Sequence, residues 1–221
     1  MQLGLLFADE LRGFYKSKVM IFLWIGMPLI AVLFRFISVE TSGQDIPFTL
    51  VSTVVVSSLA GTLAAVMLAV FIINEKNRRV YDLFLIRPLK RREIILAKFL
   101  AVYLCVAIAS FIAVVTGIMV DYVTIGSMSM AALADAGTSL ATSLSMIAVS
   151  CSAGVLIGVF SPTVLVGAIL VIYGGNQVSV IPLVPTMLNL PQATVFTIVL
   201  AGALAGVLLA VAVALFERQQ F

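Results

Sequence analysis

The sequence predicts an all-α membrane protein of six transmembrane helices, preceded by an amphipathic interfacial helix and carrying a short cytoplasmic helix between helices 2 and 3. Three observations predict it. Hydrophobic residues make up 62% of the 221 residues and charged residues only 10%, with a mean hydropathy of +1.22. That is more apolar surface than a soluble domain can hide, so the solvent is lipid. The apolar residues also run in stretches of about twenty, the length that crosses a hydrocarbon core. Finally, lysine and arginine gather in the first stretch (Arg12, Lys16, Lys18), in 74–98 and in the tail (Arg218), while the loops after the first, third and fifth apolar stretches hold none. The positive-inside rule then puts both termini in the cytoplasm of a multi-pass plasma-membrane protein. The net charge of +3 reflects basic residues beside membrane segments, drawn to the inner leaflet, and does not suggest nucleic acid.

The chain reads as one transmembrane domain over 1–221. Residues 1–18 form the interfacial helix. Leu3, Leu6, Phe7 and Phe14 share one helical face, and Asp9, Arg12 and Lys16 the opposite one, as in a helix lying in the headgroup region. The first crossing is 19–39. Trp24 lies near its inner end, as interfacial aromatics do. Arg35, near the outer end, snorkels or pairs with Glu40, or else lines the outer mouth of a pathway.

The second crossing is 48–73. Ser57, Gly61, Ala65 and Ala69 recur every fourth residue, a small-residue stripe that lets another helix approach closely without saying which one. The third crossing is 99–120, followed by a short interfacial segment within 125–137. The fourth, 138–160, is rich in hydroxyls. Thr142, Ser145 and Ser152 serve either packing, through bonds to helix backbone, or a polar wall of a pathway. Ser161 and Pro162 turn the chain into the fifth crossing, 163–181, which Gly174 and Gly175 interrupt. Pro182, Pro185 and Pro191 are too many for a regular helix. The sixth crossing, 193–216, carries Gly202 and Gly206, a GxxxG packing pair.

Chemistry is constrained by what is missing. There is no histidine, which removes the commonest metal ligand and general base. Cys105 and Cys151 lie in apolar segments without metal-ligand spacing and read as packing residues. No GxxxxGK phosphate loop occurs, so the chain does not hydrolyse nucleotide by that route. No serine-lysine or paired-aspartate arrangement falls inside a crossing. The expectation is a non-catalytic chain with no metal and no cofactor of its own.

The only long charged run is 74–98, between the second and third crossings. Tyr81, Phe84 and Leu85 fall at i, i+3 and i+4 on one face of a short helix, 80–86. Pro88 ends it. A second helix then starts with Lys90, Arg91 and Arg92 and runs through Ile94, Ile95 and Leu96 into the third crossing. This pattern resembles the permease subunits of ATP-binding cassette transporters of the type-2 exporter family. There, an acidic residue ends the second membrane helix, followed by a short apolar-faced helix, a proline, a basic-acidic pair, an apolar triplet and a lysine. Glu75, the 80–86 helix, Pro88, Arg92 with Glu93, Ile94 to Leu96, and Lys98 stand at those places. The family's usual glycine-threonine pair before the short helix is Arg79 and Val80 here.

The resemblance implies that the 80–86 helix is a coupling helix resting in a groove of a separate cytoplasmic ATPase, with Glu75, Arg79, Tyr81, Phe84, Leu85 and Pro88 at that contact. It implies two permease copies, or this chain and a relative, bound to two ATPase subunits that hold ATP and Mg. It also implies export, and short re-entrant or surface helices before the last crossing. The scarcity of charge in the crossings leans towards a hydrophobic, lipid-like or drug-like substrate. Two other classes compete. A secondary transporter driven by an ion gradient normally needs ionisable residues near mid-membrane, and these crossings are nearly free of them. A non-transporting membrane anchor or assembly protein would use the charged loop only to fix topology.

Overall fold

Hydrocarbon offers backbone groups no hydrogen-bond partner, so a chain that crosses it closes those bonds within helices. Every described element of this protein is helical. A computed structural model describes residues 2–15, 17–39, 48–78, 91–125, 130–188 and 192–218. Helix α1 (Gln2–Tyr15) precedes α2 (Lys18–Val39), α3 (Phe48–Asn77), α4 (Arg91–Ile125) and α5 (Met130–Phe160). A composite helix follows: α6 (Val164–Leu170), a π segment (Val171–Gly175), α7 (Asn176–Val180), a 3-10 turn (Ile181–Leu183) and α8 (Val184–Met187). The last helix is α9 (Ala193–Arg218). Five stretches are long and apolar enough to cross a membrane: Ser57–Asn77, Arg92–Val120, Leu133–Phe160, Val164–Thr186 and Ala193–Arg218. These make the chain a multi-pass membrane protein. In α2 the described apolar stretch is the shorter Met20–Ile30.

The helices overrun the expected crossings for local reasons. Ser17 separates α1 from α2 and caps the latter, its Oγ accepting from the Met20 N–H at 3.2 Å, which satisfies one of the first turn's free donors. Helix α4 begins at Arg91, eight residues before the expected crossing, because six of the eight residues of 91–98 are good helix formers. Met130–Phe160 is one helix, so residues 130–137, expected in a separate interfacial segment, are continuous with the fourth crossing. Its first turns are alanine-rich, and Gly137 alone costs only about 1 kcal/mol relative to alanine, too little to break a helix. At Gly174 and Gly175 the backbone stays helical but widens into the π segment. Pro182 sits in the first positions of the 3-10 turn and Pro185 in those of α8, where a missing N–H costs least.

Helix α5 is the centre of the fold, and α3 lies against it. The small-residue stripe of α3 faces a matching one on α5. Ser57 Oγ donates to Met146 Sδ at 3.5 Å. A Cβ added to Gly61 would meet Ser150 Oγ at 2.7 Å, one on Gly154 would meet the Ala65 carbonyl oxygen at 2.6 Å, and one on Gly158 would meet Ala69 Cα at 2.9 Å. Each pair is 89 residues apart: 57 with 146, 61 with 150, 65 with 154, 69 with 158. A constant offset means that the two helices run parallel, with backbones in direct contact at every fourth residue. The stripe's partner is therefore Gly154 and Gly158, which the sequence reading did not single out.

Helix α9 packs on α5 through Ala201 and Ala205, which cluster with Val149. Gly202 and Gly206 point the other way. Both are exposed, and a Cβ added to either would meet nothing within 4 Å. Within the chain, then, the alanine pair one position earlier does the packing expected of the glycines, because helix–helix contact follows the face that α5 meets and not the smallest side chain.

Candidate functional site

The sequence Ile94, Ile95, Leu96, Ala97, Lys98, Phe99 places one cation in an apolar run, on a helix face that packs inward. Lys98 is only 2% exposed. A bare ammonium at that depth would cost several kcal/mol in lost hydration. The fold meets that cost with two carboxylates. Lys98 Nζ donates to Glu75 Oε1 at 2.6 Å and to Glu10 Oε1 at 2.6 Å. Charge-assisted bonds this short are about twice as strong as neutral ones. One side chain thus ties together the start of α4, the end of α3 and the middle of α1.

Each carboxylate arrives by a different route. Glu75 closes the apolar run of α3, two residues before the helix ends at Asn77. Glu10 comes from the buried face of α1. Phe7, Glu10, Leu11 and Phe14 recur at i, i+3, i+4 and i+7. Phe14 is buried, Phe7 and Leu11 pack on the same core, and Phe14 meets the Phe71 ring edge-on with centroids 5.0 Å apart. Asp9 and Arg12 stay exposed. Helix α1 is therefore docked on the protein along that face, beyond the interfacial position expected from its pattern. The signal for Glu10 was legible: it is a carboxylate in the middle of an apolar face, opposite in charge to a lysine in an apolar run.

Two further bonds fix the same end of the molecule. Lys76 Nζ donates to the Val159 carbonyl at 3.3 Å, in the last turn of α5, and opposes that end's partial negative charge. Trp24 Nε1 donates to the Cys105 carbonyl at 3.2 Å, so the indole pins α2 to α4. Its ring also meets Tyr15 edge-on.

Some acidic capacity is left over. Glu75 Oε2 and, on α4, Glu93 Oε2 are buried with no hydrogen-bond partner among the described residues. The chain leaves this site at Arg78 and re-enters it at Arg91. Arg79, Tyr81, Phe84, Leu85 and Pro88, the expected contact residues, lie outside the described residues, as does the side chain of Arg35.

The hydroxyls of α5 turn to their own helix. Thr142 Oγ1 donates to the Thr138 carbonyl, Ser145 Oγ to Ala141, and Ser152 Oγ to Val149, each at 2.8 Å. No group of three histidine, cysteine, aspartate or glutamate side chains among the described residues could hold a metal. No protein-family model matches the chain, and a comparison with curated proteins finds no match.

Proposed function

We propose that this chain is the membrane-spanning permease subunit of an ATP-binding cassette exporter, with six crossings and both termini in the cytoplasm. The observation that carries the reading is the Lys98 clamp. It joins α1, α3 and α4 at the point where the chain leaves for 79–90 and returns from it. A force applied to that segment by a partner would reach three helices at once, since packed elements joined by short ion pairs move together. The sequence pattern of Tyr81, Phe84 and Leu85 flanked by Arg78, Arg79 and Arg87 suits a protein contact. In this reading Tyr81, Phe84 and Leu85 seat in a groove of a cytoplasmic ATPase, which holds the ATP and Mg, and a second permease copy completes the pathway. The apolar crossings favour a hydrophobic, lipid-like or drug-like substrate.

The experiment is affinity purification of the tagged chain from its native membranes in mild detergent. A stoichiometric ATPase whose hydrolysis rises when hydrophobic substrates are added supports the reading. A chain that purifies alone, or with an ATPase indifferent to every substrate, contradicts it.

A further inference from the structure

The composite helix has two distinct sides. Gly167, Val171, Gly175, Ser179, Pro182 and Leu183 are buried against the rest of the chain. On the other side Leu170, Tyr173, Gly174, Gln177, Val180 and Val184 are exposed. Gly175 is the central residue of the Val164–Thr186 span, so Gln177 lies about 3 Å along the axis from its middle. A long charged side chain near a helix end can reach the headgroups, but a glutamine at mid-depth cannot.

Its neighbour Asn176 has a partner: its Oδ1 accepts from Ser58 Oγ on α3 at 3.1 Å. Gln177, rotated by one residue, faces outward, and its amide has no hydrogen-bond partner among the described residues. The π segment just before the pair sets this division, since its extra residue turns everything that follows relative to a regular helix. The other outward faces contrast with this one. Helix α2 presents Ile21, Phe22, Ile25, Leu29 and Leu33, and α9 presents Val195, Val199, Val207 and Val211, all suited to lipid tails. Among the described residues, no other exposed amide or charged group lies within one turn of the middle of a span.

We infer that this face is a self-association surface whose polar centre is Gln177 paired with Gln177 of a second copy. A primary amide carries both donors and an acceptor. Two of them across a twofold axis satisfy each other, and a twofold contact brings identical residues together at the axis. Lipid tails offer neither group, which is what makes such an amide pair a preferred contact in a membrane. Gly174, one turn away on the same face and with no atom within 4 Å of an added Cβ, lets the two backbones approach at that level. The inference supplies the second copy in the reading above, but it rests only on the crossing of the membrane by 164–186 and not on an ATPase.

The test is oxidative cross-linking in native membranes of the full chain carrying Gln177→Cys, with Val207→Cys on the outward face of α9 as the comparison. Cys105 and Cys151 are buried and contribute no background. The expected result is a disulfide-linked dimer for position 177 and little for position 207. In detergent, Gln177→Leu should weaken self-association roughly three- to thirtyfold, the range expected for lost interhelical hydrogen bonds, with Gln177→Asn retaining part of it. Cross-linking at 177 no greater than at 207, or unchanged association of Gln177→Leu, would overturn the inference. So would ready modification of Gln177→Cys by a membrane-impermeant thiol reagent, which would put the side chain in a water-filled path. Cross-linking that persists in a Tyr81→Ala, Phe84→Ala background with no bound ATPase separates this result from that of the preceding section.

Discussion

Lys98 Nζ lies 2.6 Å from Glu75 Oε1, joining the start of α4 to the end of α3 across the segment that separates them. The same ammonium holds Glu10 of α1. Lys98 is buried and both acids are mostly so, at 2% exposed for the lysine and 21% and 23% for Glu10 and Glu75. Removing the cation leaves two carboxylates facing each other without a counter-charge. Lys98→Met is expected to destabilise the protein by about 3 kcal/mol, the low end for breaking a buried pair, and to release α1. Thermal unfolding in detergent and protease cutting within residues 2–15 report the two effects. Unchanged melting with α1 still protected would mean that the clamp holds nothing.

The α3–α5 ladder makes a sharper steric prediction. Gly154→Ala would push a Cβ to within 2.9 Å of three backbone atoms of Ala65. Backbone cannot move aside as a side-chain tip can, so the cost of overpacking, about 1–3 kcal/mol, should exceed the roughly 1 kcal/mol of helix propensity that alanine gains over glycine. Gly202→Ala meets nothing and should be neutral or slightly stabilising in the monomer. Equal melting temperatures for the two variants would contradict the packing.

How far the sequence reached differs from element to element. The apolar stretches, their order and the stripe of Ser57, Gly61 and Ala65 were legible because period and length are local properties. The stripe's partner was not, since nothing local pairs residue i with residue i+89. The same limit applied to Gly202 and Gly206, where small residues marked a candidate surface but tertiary contact chose Ala201 and Ala205. Glu75 and Lys98 were picked out as places in a motif, yet their bond, and the recruitment of Glu10, depend on three segments meeting. Trp24 reads as interfacial on pattern alone, and only the position of α4 gives its N–H a carbonyl to bond.

The hydroxyls of α5 supply a further test. Ser152 Oγ donates to a carbonyl of its own helix, which keeps its ordinary backbone partner when the hydroxyl is removed. Ser152→Ala should therefore change stability by no more than about 1 kcal/mol, the net worth of one hydrogen bond. Substrate-stimulated ATP hydrolysis should also be unchanged, whereas an altered substrate response would put this side chain in the pathway.

Topology is open to direct labelling. Asn77 ends α3 beside the clamp and is exposed. A cysteine there should be modified by a membrane-impermeant thiol reagent only in opened vesicles, and one at Gln44 should be modified from outside. Modification at 77 in sealed, right-side-out cells would reverse the orientation and remove the segment from any cytoplasmic partner.

The central claim is that residues 79–90 hand the permease to an ATPase. Aromatic anchors at interfaces each contribute on the order of 2 kcal/mol when truncated, so losing two weakens binding by roughly a thousandfold. The deciding measurement is the amount of ATPase retained by Tyr81→Ala, Phe84→Ala after affinity purification in mild detergent, together with its substrate-stimulated ATP hydrolysis. The account predicts a double variant that reaches the membrane in the correct orientation, keeps its substrate binding, and purifies without its ATPase. Full retention of an ATPase that substrate still stimulates would contradict it and return the segment to the role of a topological anchor.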